Sequence, residues 1–446
     1  MTTKTANNQK HSYMAPFIIM VVLMSLVGLI TSINQQFQAP MQSAYLIMGG
    51  NMTNTLTTLL VFAFFLAYLV MGIPSSRYIQ KKGHKTTLIT GLVILICAFG
   101  LYQLSAYVFT SHDLVTFQPI LDQAKAMGDG FKYEGPTVVP VAYYIFLFAA
   151  FVAGTALTFL QAVINPYIVA CEVPGTTGVT RQSIAGTGNS LMTTIGPLLV
   201  AFLIFNGKTG LEINITSLYI PILVLMVIVG IIAAVLPSLD LPEIPSTSVG
   251  KDETLPDSIL SFRHLVLGVA AIFFYVGVEV CVGSNINLFA IKEGGFTIAS
   301  AAKLASLYWF GMLIGRAVGS FLSGIAAHTQ LLVASLAAMI LVIASMVTGN
   351  PWLLCGVGLF HSIMWPAIFD LAIKGLGRYT AKGSGLLMMG VVGGAVLPLL
   401  QGVLADSIGN WTWTWAIVIV GELYLLYYAF SGHKVKKTDV GHTAEN

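Results

Sequence analysis

Charged residues are scarce in this chain. Only 9% of its 446 residues are Asp, Glu, Lys or Arg, whereas 56% are hydrophobic. So few charges cannot cover the surface of a soluble domain, and the mean hydropathy of +0.84 excludes that class. The formal net charge of +3 is small and evenly spread, which excludes nucleic acid as a partner. The composition therefore predicts a polytopic protein embedded in a lipid bilayer.

Cysteine is scarce as well. The four cysteines stand in or beside apolar runs without C-x-x-C spacing, so neither a disulfide framework nor a zinc site is indicated. Because no nucleophile–base pair and no metal-ligand cluster converges across these runs, we expect no catalytic residue, no metal and no cofactor. The polar start, residues 1–12, lacks the features of a removable signal peptide, so the first apolar run is expected to persist as a helix.

Long apolar runs, by contrast, are abundant. Twelve of them are long enough to cross a bilayer as α-helices, which predicts an all-α membrane protein with twelve transmembrane helices. They cover residues 15–35, 55–75, 87–108, 139–167, 187–206, 217–237, 264–290, 300–324, 330–348, 352–374, 383–405 and 412–431.

The distribution of Lys and Arg predicts the orientation, because short loops rich in these residues stay on the cytoplasmic side. With the N-terminus inside, cytoplasmic segments hold 15 of the 21 Lys and Arg residues and external segments hold 4. We therefore expect both termini in the cytoplasm and the protein in the cell membrane.

A polar stretch rich in Pro, Ser, Asp and Glu divides the chain between spans six and seven. We assign residues 238–262 to a cytoplasmic linker, residues 1–237 to an N-terminal six-helix bundle and residues 263–446 to a C-terminal bundle with a short tail. Asn165-Pro166 in span four corresponds to Trp365-Pro366 in span ten. A doubled six-helix unit with pseudo-symmetric halves is the simplest explanation.

Amides recur at helical spacing within two apolar spans. Gln161 and Asn165 lie one turn apart in span four. Span one carries a polar stripe formed by Thr31, Gln35, Gln38 and Gln42. Buried amides lose water and regain little from lipid, so we expect Gln35, Gln38 and the span-four pair to face a cavity. The alternative is that they hydrogen-bond neighbouring helices.

Span seven carries the most informative single residue, Glu279, on a stripe with Tyr275 and Asn287. A carboxylate at mid-span costs roughly 2.5–3.5 kcal/mol on insertion scales, and desolvation favours its protonated form. Glu279 is therefore a candidate to accept a hydrogen bond from a ligand hydroxyl, to carry a proton, or to do both. The alternative is a structural ion pair with Lys303 or Arg316.

Span ten adds His361 and Trp365 one turn apart, with Trp309 in span eight. Aromatic rings around a cavity suit a pyranose, whose C–H face stacks on them while its hydroxyls bond to amides. Asp370 is a second candidate proton carrier, although an ion pair with Lys374, four residues later, is the simpler interpretation.

Basic residues at helix ends are candidate gating contacts, with simple positive-inside topology as the alternative. They are Arg77, Lys81, Lys82, Lys85 and Arg181, together with Arg316 in span eight.

Several longer motifs identify a family. They include Leu160-Gln161-Ala162-Val163-Ile164-Asn165-Pro166-Tyr167, Gly188-Asn189-Ser190-Leu191, Tyr275-Val276-Gly277-Val278-Glu279, Gly315-Arg316-Ala317-Val318-Gly319-Ser320 and the run from Ser362 to Gln401. With these motifs, the chain resembles the fucose–galactose–glucose:proton symporter branch of the major facilitator superfamily over nearly all twelve spans.

The resemblance implies alternating access around a central sugar site, driven by co-transported protons. Gln161, Asn165 and Asn189 match the substrate-facing motifs of the N-terminal half, and Glu279 matches the polar position of span seven. One departure concerns span one, where family members commonly have an acidic residue just after the asparagine and this chain has Asn34-Gln35. Some members also have a glutamate where Gln161 stands. Coupling would then depend on Glu279 or Asp370, use another ion such as sodium, or be absent.

We therefore expect an importer of a hexose or deoxyhexose, such as fucose, glucose or galactose, that functions as a monomer. A drug exporter would have a wider apolar cavity and fewer amides. A sugar sensor without flux would carry a sizeable cytoplasmic signalling segment.

Overall fold

The computed structural model describes most of the chain. The described residues are 13–127, 131, 133–171, 173–176, 178–208, 212–239, 241, 258–319 and 324–438. Within these ranges every regular element is helical, which confirms the predicted all-α fold class.

The α-helices are α1 (Met14–Gln36), α2 (Gln38–Tyr45), α3 (Thr53–Val108), α4 (Leu114–Met127), α5 (Val141–Ala170), α6 (Gly178–Leu198), α7 (Tyr219–Val235), α8 (Arg263–Gly294), α9 (Ile298–Gly319), α10 (Ala327–Thr348), α11 (Trp352–His361), α12 (Met364–Ile373), α13 (Thr380–Met389), α14 (Gly393–Ile408) and α15 (Ala416–Tyr427).

Eleven helical stretches in these ranges are long and apolar enough to cross a membrane. One of them, Gly50–Met127, contains two crossings, because Gly83 interrupts α3 with φ 79° and ψ 170°. Twelve crossings place the two ends of the described chain on the same side. We call that side the terminal face and the opposite side the far face.

Three crossings are broken where the sequence predicts continuous helices. Pro40 has no N–H for the carbonyl of Gln36, and the first crossing is interrupted at Phe37, between α1 and α2. Pro366 likewise removes the bond to the carbonyl of Ser362, and α11 and α12 are separated at that point. The third break, Gly390–Val392, lies between α13 and α14. Pro166, the counterpart of Pro366, leaves α5 unbroken, so the two halves differ here.

Glycines let helices approach closely within each half of the chain. An added Cβ at Gly154 of α5 would lie 2.1 Å from the carbonyl oxygen of Phe64 in α3. At Gly393 it would lie 1.8 Å from the carbonyl oxygen of Phe273 in α8. The linker proposed at 238–262 lies mostly outside the described residues, so the assignment of domain boundaries stays a prediction.

The two halves meet through a set of contacts at the far face, here called the far-face seal. The carboxylate of Asp406 in α14 accepts hydrogen bonds from the backbone N–H groups of Asn54 (3.0 Å) and Thr55 (2.6 Å) at the start of α3. Gln36 donates to the carbonyl of Gly283 (3.1 Å). Because a helix N-terminus favours a negative charge, Asp406 joins the halves where the main chain supplies the donors.

The same pair of crossings separates toward the terminal face. At Gly72 in α3 and at Gly385 in α13, an added Cβ would meet no atom within 4 Å. At Gly402 in α14, near the far face, it would lie 2.1 Å from the hydroxyl of Thr58. These two crossings are thus packed more closely at the far face than at the terminal face.

Candidate functional site

One wall of the candidate site is formed by α5 and the first part of α3. Gln161 donates from its amide to the hydroxyl of Tyr68 (2.8 Å), and that hydroxyl also hydrogen-bonds to Thr31 of α1. The Tyr68 ring stacks on Phe65 with 5.9 Å between ring centroids. Gln161 and Tyr68 are both only partly buried, so an amide and a hydroxyl lie side by side on an accessible surface.

The opposite wall is formed by α8 and α12. Glu279 lies in the middle of α8 and is partly exposed. Its carboxyl hydrogen-bonds with the Tyr275 hydroxyl and interacts electrostatically with Arg316 of α9. The Trp365 ring lies 6.2 Å from the Tyr275 ring. This wall can offer a carboxyl group and aromatic faces to a ligand that has both hydroxyls and a flat apolar side.

Phe65 joins the two walls. An added Cβ at Gly394 of α14 would lie 3.2 Å from Phe65 and 3.1 Å from both Val276 and Val280 of α8. The first wall therefore adjoins the stretch of α8 that contains Glu279. Because α3 and α8 belong to different halves of the chain, the site lies between the halves.

Arg316 connects the halves a second time. Its guanidinium donates to the carbonyl of Gly186 (3.2 Å) and to the hydroxyl of Ser190, both on α6. The same side chain interacts electrostatically with Glu279. A single cation thus links the acidic residue of the site to the opposite half.

Several buried polar atoms on α1, α2, α8 and α9 have no hydrogen-bond partner among the described residues. They are Oε1 of Gln35, both amide atoms of Gln38, Oδ1 of Asn287 and Nε1 of Trp309. Each of these side chains is at most 6% exposed. Buried polar groups normally have partners, so this region of the interface can accommodate a polar ligand.

The comparisons with known proteins agree with this architecture. A family model described as Major Facilitator Superfamily matches residues 14–391. The chain belongs to the Major Facilitator Superfamily. A relative named "Glucose/galactose transporter" from Brucella abortus biovar 1 (strain 9-941) is 28% identical over 438 residues, which cover 96% of this chain and 97% of the relative. The "L-fucose-proton symporter" of Escherichia coli (strain K12) is 25% identical over 429 residues, which cover 90% and 89%.

A solved structure of another superfamily member has the same fold. The crystal structure of the transporter FucP in the outward conformation aligns with a TM-score of 0.64 at 22% identity, covering 94% of this chain and 99% of that one. The predicted fold, twelve crossings in the major facilitator arrangement, is confirmed.

Among the predicted site residues of this superfamily member, Asn189 and Asn165 are engaged in helix contacts. The Asn189 amide donates to the carbonyl of Met24 in α1 (3.1 Å). Asn165 accepts a hydrogen bond from Gln182 (3.4 Å). Both asparagines remain partly exposed, so each has capacity left for a ligand. Asn287, by contrast, donates to Gln36 across the halves and is part of the far-face seal.

The structure corrects the expectation that His361 lines the site. Its ring is fully buried, and both nitrogens have partners: the Tyr308 hydroxyl at 2.8 Å and Glu422 at 2.8 Å. No ring nitrogen is left for a ligand hydroxyl. Trp365, one turn further along span ten, keeps its place in the wall because it is partly exposed.

Asp370 also departs from expectation. Its side chain is exposed, as is that of Lys374, and no ion pair between them is found in the described chain. The exposed Asp370 side chain is not part of the wall that contains Glu279.

The predicted gating residues lie in different surroundings. Arg77 is exposed. Arg181 is buried within its own half and donates to the carbonyls of Ile168 (2.8 Å) and Thr176 (3.1 Å). Arg316 contacts the opposite half, where it donates to the carbonyl of Gly186 (3.2 Å). Lys85 instead ties the Gly83 break to the end of α7, donating to the carbonyl of Pro237 (2.6 Å).

Sequence reasoning missed Tyr68, Tyr308 and Ser190 as components of the site and its surroundings. Tyr68 lies one turn from Phe64 and Phe65 in an aromatic stretch that resembles ordinary core packing. Ser190 stands next to Asn189 in a motif that the sequence does offer, and only the position of Arg316 reveals its role. Glu422 is visible in the sequence as an isolated acid in span twelve, but its partner is 61 residues away.

Proposed function

We propose that this protein imports a monosaccharide, a hexose or deoxyhexose, by alternating access, with a proton moving in the same direction. The observation that carries the proposal is the pair of walls around Gln161 and Glu279, which come from opposite halves of the chain and adjoin each other at Phe65. A sugar can use amide, hydroxyl and carboxyl groups for its hydroxyls and Trp365 for its apolar face. The names of the full-length relatives support the same substrate class.

The terminal face is assigned to the cytoplasm because the basic residues concentrate there. Arg77, Lys81, Lys82 and Lys85 surround the Gly83 break on that face. Since both walls of the candidate site lie within one chain, we propose that the monomer is the transporting unit.

The test is uptake of radiolabelled L-fucose, D-glucose, D-galactose and N-acetylglucosamine into liposomes that contain the purified protein. Each sugar is tested without a gradient, with an acidic exterior and with a sodium gradient. A proton symporter concentrates its sugar only with the acidic exterior. Equilibration without concentration under all three conditions would identify a facilitator, and concentration driven by sodium would identify a different coupling ion. No uptake of any of these sugars would reject the proposed substrate class.

Gln161→Ala is expected to weaken sugar binding about tenfold or more, because a lost hydrogen bond that leaves a buried partner unpaired costs about 1–3 kcal/mol. The measurement is the sugar Kd of the purified variant by equilibrium binding. Gln103→Ala is the matched control, since Gln103 is a partly buried glutamine of α3 that donates to the Tyr219 carbonyl (3.3 Å). Equal Kd values for the two variants would remove Gln161 from the site.

A further inference from the structure

A buried acid–base pair lies behind the wall that contains Glu279. Glu422 of α15 and His361 of α11 are both 0% exposed, and Oε1 of Glu422 is 2.8 Å from Nε2 of His361. The second carboxyl oxygen, Oε2, has no partner among the described residues. Neither residue faces the gap between the halves.

Tyr308 connects this pair to the helix that carries Glu279. Its hydroxyl lies 2.8 Å from Nδ1 of His361 and donates to the backbone carbonyl of Glu279 (3.2 Å). The network therefore runs from α15 through α11 and α9 to α8, and its last member is the backbone of the site residue itself.

The hydrogen bonds determine how many protons satisfy the network. The Tyr308 hydroxyl has one hydrogen, and when it donates to the Glu279 carbonyl, Nδ1 of His361 must carry a hydrogen and donate to Tyr308. Nε2 then either carries a second hydrogen that points to the carboxylate or accepts one from a protonated Glu422. Both arrangements contain the same number of protons and leave the pair with no net charge.

Removing one proton leaves a net negative charge inside the membrane. Either the lone pair of Nε2 then faces a carboxylate oxygen, or the Tyr308 hydroxyl turns its hydrogen to Nδ1 and releases the carbonyl of Glu279. An uncompensated charge at this depth is unfavourable, so the pair that holds the proton is the favoured form. Occupancy by the proton thus changes a hydrogen bond on the backbone of α8.

The ionisable surroundings of the pair are few. From α8, Tyr275 and Glu279 face the pair. Arg316 of α9 interacts electrostatically with Tyr275 and with Tyr308. From α10, which packs against α15, the one ionisable residue is His328 near the helix start, stacked on His433. Because Arg316 is shared with Glu279 and α6, the pair has no cation of its own among the described residues.

We propose that the Glu422–His361 pair is a binding site for the co-transported proton, linked to the sugar site through Tyr308; this inference rests on the proposed proton-coupled transport. The proton comes from water and forms an N–H or O–H bond in the pair, and no other covalent bond changes.

The test is Glu422→Gln, whose amide can still donate to Nε2 of His361 and so imitates the loaded pair without exchanging a proton. We expect sugar counterflow to stay within about twofold of wild type and to lose its dependence on pH between about pH 6 and pH 8. Accumulation driven by an acidic exterior should fall to equilibration. Tyr308→Phe should retain proton binding but weaken the pH dependence of counterflow, whereas Tyr424→Phe, which removes only a bond to the Leu267 carbonyl (3.1 Å), should behave as wild type.

Infrared difference spectroscopy of the purified protein measures proton binding without transport. A carboxyl band that titrates in wild type and Glu279→Gln but is absent in Glu422→Gln supports the site, even if the latter variant no longer transports. A spectrum of Glu422→Gln identical to wild type, or wild-type accumulation in that variant, overturns it. If wild type itself does not accumulate sugar in response to a pH gradient, the proposed proton coupling is rejected, and this inference is rejected with it.

Discussion

Arg316→Gln is expected to slow sugar uptake by at least about 100-fold, because two hydrogen bonds from a charged donor are lost, each worth about 1.5–3 kcal/mol, and 1.4 kcal/mol corresponds to a factor of ten. Those bonds join α9 to Gly186 and Ser190 of α6. The substitution also removes the cation that interacts with Glu279. The measurement is the initial rate of uptake into liposomes at matched protein density.

Two further variants separate the two roles of Arg316. Arg316→Lys keeps the charge but cannot reproduce the fork of donors, so we expect an intermediate rate. Combining Arg316→Gln with Glu279→Gln removes the unbalanced carboxylate and should recover counterflow. A wild-type rate for Arg316→Gln would show that the contact of Arg316 with α6 has no part in the cycle.

Gly402→Val is expected to slow transport at least about 100-fold. Overpacking of this kind typically costs about 1–3 kcal/mol, and more where backbone is the obstacle. An added Cβ would lie 2.1 Å from the Thr58 hydroxyl and 2.8 Å from the carbonyl oxygen of Asn54. The far-face seal then cannot close, so the protein should remain open to the outside. Sugar binding from that side should persist.

Accessibility measures this change directly. With Cys97, Cys171, Cys281 and Cys355 replaced by Ser, a cysteine introduced at the buried position Ser284 of α8 should react with a membrane-impermeant maleimide faster in Gly402→Val than in the parent protein. Gly230→Val is the matched control, because an added Cβ at Gly230 in α7 meets no atom within 4 Å. Equal labelling rates in the three proteins, with transport intact, would contradict the assigned role of Gly402.

Most of the fold could be predicted from the sequence because the length and apolarity of each span are local properties. The breaks could not be predicted in the same way. Pro366 divides its span whereas Pro166 does not, although both occupy equivalent positions in the two halves. The difference depends on what packs around each proline, which no local pattern records.

Helical spacing predicts that Glu279 and Tyr275 lie on one face of a helix, and the structure places their side chains in hydrogen-bond contact. Positions that depend on distant partners cannot be predicted in this way. His361 has the spacing of a wall residue, but its contacts to Tyr308 and Glu422, 53 and 61 residues away, hold it in the interior. Helical spacing puts Gln38 on the stripe of span one, but α1 ends at Gln36 and Gln38 is the first residue of α2, two residues before Pro40.

The reversal at Gly83 has a consequence for biogenesis. Its positive φ is a conformation that side-chain-bearing residues rarely adopt, so the second and third crossings are joined by a tight hairpin with Lys81, Lys82 and Lys85 around its tip. Because short basic loops stay on the cytoplasmic side, we expect this hairpin to insert with its basic tip on the side of synthesis. A substitution of Gly83 would consequently appear as misinserted or degraded polypeptide, before any turnover could be assayed.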